Sequence, residues 1–209
     1  MADHFEPVAP ADADAIGLLA FSALAVMTRL AKDGDQAPTI EAHIEHARMS
    51  KRAFKVFEDL EVWSDHRGLD LAAVAGEYSG LYDDLDARTR PTTWAERSIK
   101  TYVTVGIISD MLLQISRRHG LFDEADGQWD LGQGEWVRTH LAPRIAADEQ
   151  LGARLSLWAR RVAGEVLGLV RAPLFTHPDL AGSPEAMDEI AESVTSRHGE
   201  RMKEIGLKG

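Results

Sequence analysis

Apolar side chains recur in steps of three and four along most of the chain, the pattern of helices that each bury one face. Ile16, Leu19, Ala20, Ala23, Met27 and Leu30 form one stripe, and Leu18, Phe21 and Val26 make the opposite side apolar too. This helix, starting near Asp12 or Asp14 and ending near Lys32, is therefore predicted to be central. A second helix follows Pro38, with Thr39 as N-cap, and runs to about Ser64 with Met49, Ala53, Val56 and Leu60 facing inward. A shorter helix is predicted from Leu69 to Arg88. Pro91-Thr92-Thr93 opens the next, with Glu96 placed for a capping box. That helix carries Val103, Ile107, Ile108, Met111 and Leu112 and closes on Arg117-Arg118-His119-Gly120.

Asp123 to Gly134 reads as a loop. Helical periodicity returns from about Gly134 to Ala147 and again from about Glu149 to Leu174, where Leu151, Leu155, Trp158, Val162, Val166 and Val170 repeat. Gly164 and Gly168 read as a packing feature. Ser183-Pro184 starts a polar, amphipathic final helix to about Ile205. No β-alternation and no internal repeat is visible. The expectation is an all-α four-helix bundle over residues 12–174 with one or two extra helices, followed by a helical appendage over 183–207.

Composition narrows the function classes. The chain has 209 residues, 44% of them hydrophobic, enough for a proper core. Its 34 acidic against 23 basic residues give a formal charge of −11, which argues against general nucleic-acid binding. Arg48, Lys51, Arg52 and Lys55 form a local basic run that reads as a solvated helix face. With no cysteine there are no disulfides, thiolate metal sites or iron–sulfur clusters. Met1 to Pro10 lacks the basic region of a secretory signal. The apolar stretch Ala15 to Met27 is 13 residues long, short of the ~20 a membrane span needs, so a buried core helix is expected. These features fit a cytoplasmic protein with no membrane attachment.

Helical bundles commonly hold metal in their core. The di-iron carboxylate version needs a Glu from each of two helices and a Glu-x-x-His from each of the other two, so that carboxylate and imidazole share one helix face. None of the eight histidines here has Asp or Glu three positions earlier. Glu41, His43, Glu45 and His46 have ligand-compatible spacing but lie among charges, and read as a solvated face. Glu135 and His140, five residues apart, fall on different faces and read as surface residues. Motifs for a P-loop, a dinucleotide site or a serine nucleophile are absent. Asp110, in an otherwise apolar stretch, needs a partner if buried; it reads as a salt-bridge member or the remnant of a site.

Several segments resemble the actinobacterial ferritin-like proteins grouped with the tRNA 2-methylthio-isopentenyl-adenosine hydroxylases (MiaE-like). They are Leu18-Leu19-Ala20-Phe21, Ala47-Arg48-Met49, Lys100-Thr101-Tyr102-Val103 with Gly106-Ile107, and above all Ile145 to Asp148 and Leu155 to Glu165. The resemblance implies a ferritin-like fold and brings in a di-iron centre and oxygen-dependent hydroxylation as possibilities. Carried over by position, the ligand set is degenerate. The first-helix glutamate falls at Ala23 and the second-helix Glu-x-x-His at Ala53 and Val56. The third-helix carboxylate is kept as Asp110. The fourth-helix pair becomes Asp130 and Gln133, the imidazole being lost. Residual metal candidates are Asp110, Asp130 and Glu135; no cofactor and no catalytic residue is assigned.

The resulting expectation is a non-catalytic ferritin-like protein, a homodimer through an apolar helix face, acting on a protein partner or a small apolar ligand. The alternatives are a di-iron oxygen-dependent hydroxylase and an apolar small-molecule binder using the vacated core.

Overall fold

The computed structural model describes residues 8–121 and 129–208. The reading of Met1 to Pro10 falls mostly outside them, as does the first half of the loop expected from Asp123 to Gly134. The described helices are α1 (Pro10–Asp35), α2 (Ile40–Asp65), α3 (Leu71–Gly76), α4 (Asp83–Arg88), α5 (Trp94–Arg118), α6 (Gln133–His140), α7 (Ala142–Ala147), α8 (Glu149–Thr176) and α9 (Pro184–Glu204), with a 3-10 turn at Pro178–Leu180.

Side-chain caps set most of the starts. Thr39 Oγ1 accepts the Ala42 N–H at 3.2 Å, Asp148 accepts from Leu151 at 3.0 Å and Ser183 from Ala186 at 3.1 Å, each satisfying a donor that the first helical turn leaves orphaned. Thr93 accepts from the Glu96 N–H at 3.2 Å, while the Glu96 carboxylate reaches back to the Thr92 N–H and hydroxyl, both at 2.7 Å. The box is thus closed one residue earlier than the usual reciprocal pair.

α1, α2, α5 and α8 are the long helices of the bundle. α1 packs along α2 and crosses α3 and α5; α5 packs along α8 and α9. The apolar character of α1 all round is explained by these neighbours: Ala15 to Ala20 are buried without a gap. By length and composition α1 could cross a membrane, but here it is a core helix. At its start, Asp12 meets His119 Nδ1 at 2.7 Å and Asp14 meets His177 Nδ1 at 3.0 Å, joining α1 to the ends of α5 and α8. α5 is the most enclosed element, buried at nearly every position from Ser98 to Ser116. Its remaining face is covered by α9, whose Ile190, Val194 and Met202 join the same core.

Two expected helices are each broken in two. Between α3 and α4 the chain turns through Tyr78 to Tyr82, with Gly76 and Gly80 supplying residues that favour leaving a helix; both tyrosine side chains are buried by the turn. α6 and α7 part at Leu141, where Pro143 enters the second helix as one of its first residues and has no N–H to continue the first. Gly164 and Gly168 also depart from expectation. A Cβ at either would meet open space, so neither enables a close helix contact.

Candidate functional site

The middle of the bundle holds no charge at three positions where the resemblance places ligands. Ala23 is 0% exposed, Ala53 1% and Val56 4%, and all three belong to the apolar core with Leu19 and Leu60. The nearby hydroxyls are locally satisfied: Ser22 shares a 2.8 Å hydrogen bond with the Tyr82 hydroxyl, and Ser50 donates to the Met27 carbonyl at 2.9 Å. Burial pushes the Tyr82 phenol up to about 12, partly offset by Ser22. A core of this kind has no group to balance a buried cation.

Asp110, Asp130 and Gln133 do come together, in one pocket of about 300 Å³ between α5, α6 and α9. Its other charged members are Arg138, Arg197, Arg201 and Glu204. The Asp110 carboxylate is held by Arg197 Nε at 2.9 Å and Arg201 Nη2 at 2.5 Å. Gly106 makes the second contact possible, because a Cβ there would lie 2.7 Å from Arg201 Nε. Asp130 accepts the Gly132 N–H at 3.0 Å. Gly132 is left-handed at φ 87, so Asp130 and Gln133 do not share a helix face. Glu135 is exposed, bonded to Arg138 and Thr139, and lies outside this pocket. Three carboxylates and one amide among three arginines, with Asp110 already paired to two of them, do not fit a pair of iron ions. Among the described residues no group of three His, Asp or Glu side chains could hold a metal.

His46 is not on a solvated face. It is 2% exposed, its Nδ1–H donates to the Ala42 carbonyl at 2.8 Å, and its ring meets those of Trp94 and Trp136 at 5.2 and 5.0 Å. Burial lowers its pKa, against the opposing pull of the Ala42 carbonyl. His43 and Glu41, by contrast, are exposed. The run of Arg48, Lys51, Arg52 and Lys55 is exposed as expected.

A different basic cluster, which sequence reading missed, lies beside α1. Arg29 and Lys32 of α1, Arg90, and Arg97 and Lys100 of α5 line a pocket of about 300 Å³ with Pro91 and only two carboxylates, Asp33 and Asp86. Lys100 is 5% exposed; its Nζ donates to Asp86 and to the Thr89 carbonyl, each at 2.7 Å. Burial lowers the Lys100 pKa while Asp86 opposes the shift. Asp86 also takes Arg29 at 3.0 Å. Burial acts against its charge, but Arg29 and Lys100 outweigh this and hold the carboxyl at about 2. Asp33 pairs with Arg97 at 3.1 Å and accepts the Thr101 hydroxyl. Arg29, Lys32 and Asp86 also line an adjoining, mostly apolar pocket of about 410 Å³, walled by Phe21, Leu24, Ala25, Val26, Leu85 and Ile108.

The most specific stretch of the chain supports this cleft indirectly. Trp158 Nε1 donates to the Glu96 carbonyl at 2.8 Å, Arg161 to the Arg88 carbonyl at 2.8 Å, and Glu165 pairs with Arg88 at 3.3 Å. These side chains of α8 hold the α4–α5 connection, which carries Arg90 and Pro91. The one sequence signal was the Leu155 to Glu165 segment itself, whose targets lie between 62 and 77 residues earlier.

Comparison with protein families finds that the ferritin-like domain of actinomycetes matches residues 9–174. No curated protein matches the chain.

Proposed function

The chain belongs to the ferritin-like family of actinomycetes, and we propose that it is a non-catalytic member, which acts by binding a ligand or partner rather than by oxygen chemistry. The observation that carries this is the apolar filling of Ala23, Ala53 and Val56 beside an Asp110 already neutralised by two arginines. In this reading the protein is a cytoplasmic, MiaE-like branch whose di-iron ligands have been exchanged for packing. Replacing buried carboxylates by aliphatic groups removes both the ligands and the cost of burying their charge.

The test is metal analysis of protein expressed with added iron. Iron well below one atom per chain is expected; two irons per chain with an oxo-bridge absorption band would overturn the reading.

The homodimer is proposed to form on α2. Ile40, Ile44, Phe54 and Val62 are exposed there, and their spacing puts them in one stripe opposite the core residues Met49, Ala53, Val56 and Leu60. Lys51 and Glu58 lie in the same stripe and would face each other across an antiparallel pair. Light scattering should give twice the monomer mass, and Phe54→Glu should reduce it to one.

A further inference from the structure

We propose that the cleft between α1, α4 and α5 binds a phosphorylated amphiphile, with the phosphate in the basic pocket and the tail in the apolar one. The inference rests on reading the bundle as a binder, and it assigns that binding to a place.

The charge pattern points to an anion. The pocket lining has five cations against two carboxylates, three positive charges in surplus, on a chain whose total is −11. Among the described residues Lys32 and Arg90 have no ion-pair partner, Arg29 and Lys100 share the single carboxylate of Asp86, and Arg97 shares Asp33 with Thr101. Like charges gathered this way repel one another unless an anion joins them. Guanidinium forks and lysine together match the several oxygens and double charge of a phosphate monoester better than a carboxylate.

The second pocket says what the phosphate is attached to. It shares Arg29, Lys32 and Asp86 with the first, so a head and tail would be continuous across that border. Its walls are aliphatic and aromatic, with Asp83 as a further charge in the lining. The Thr104 hydroxyl, on a fully buried residue of this lining, has no hydrogen-bond partner among the described residues. A pocket of about 410 Å³ beside one of about 300 Å³ is within the range of small-molecule sites.

Isothermal titration of the full chain with octyl phosphate, below its micelle concentration, tests the assignment. Saturable one-to-one binding is expected, at least about tenfold tighter than inorganic phosphate or octanoate. The double variant Lys32→Ala, Arg90→Ala removes two side chains without ion pairs among the described residues, so its melting temperature should stay unchanged while octyl phosphate binding falls at least about tenfold. Ala25→Trp, filling the apolar pocket, should weaken octyl phosphate but not inorganic phosphate. Absence of saturable binding, equal affinity for octanoate or inorganic phosphate, or binding indifferent to the double variant would each overturn the proposal. Iron content decides the non-catalytic reading separately, so either can fail alone.

Discussion

Along α1, Ala23 and its neighbours Leu24 and Ala25 face different worlds. Ala23 sits in a core with no charge and no exposed surface, whereas Leu24 and Ala25 line a cleft that continues into five cations. The same contrast holds on α5, where Ile99 and Val103 are core residues and Lys100 anchors the basic pocket. One side of these helices has no group to hold a charged guest, and the other carries a surplus of charge. Asp110, on α5, stands between the two cases. Its charge is buried but matched by Arg197 and Arg201, so it is closed rather than receptive.

The sharpest way to break the contrast is to put charge back into the middle. Ala53→Glu should cost at least about 3 kcal/mol, since an unpaired carboxylate in an apolar core has nothing to balance it; urea unfolding measures this, and a loss under about 1 kcal/mol would mean that the core is not dry. Asp110→Ala should cost about 2–3 kcal/mol by the same measurement, because Arg201 is left partly buried without its partner. A neutral result there would show that the arginines find other anions.

Trp158→Phe should cost about 1 kcal/mol through the lost hydrogen bond to the Glu96 carbonyl. It should also speed amide exchange in residues 88–96 and weaken octyl phosphate binding, linking the α8 segment to the cleft.

A pH effect comes next. Burial lowers the His46 pKa below its ordinary 6.5, so folding favours the neutral ring. Its contribution is complete above that value and is lost as pH falls through it toward the folded pKa. His198 is lowered by burial and then by Arg201, with Asp110 opposing, and adds a contribution of the same sign. The melting temperature should therefore drop between pH 7.5 and 5.5, and His46→Phe should flatten only part of that slope. Asp86, held at about 2, affects stability only at lower pH, below the unfolded carboxylate range. The smallest effect belongs to Arg90→Ala alone, within about 0.5 kcal/mol in stability, since it makes no ion pair among the described residues.

The helices were legible because their signals are local. Thr39, Thr93 and Ser183 cap where the chain order places the helix starts, and the stripe Met49, Ala53, Val56, Leu60 is buried as its spacing requires. Asp110 as a salt-bridge member was also readable, since a lone acid in an apolar run must find a partner. His46 was misread because its neighbours in sequence are charged while its neighbours in space are Trp94 and Trp136. The breaks at Tyr78–Tyr82 and Leu141 were missed where apolar spacing continued through glycine and proline positions that end a helix.

From the chain alone came the periodicity of the bundle and the absence of any acid three positions before a histidine, since both depend only on residue order and helix geometry. Which charges meet was decided by the fold. Arg29, Arg90, Arg97 and Lys100 are brought to one pocket by the packing of α1 against α5 and by α8 side chains holding the α4–α5 connection. Electrostatic energy depends on distance through space, which separation along the sequence does not supply.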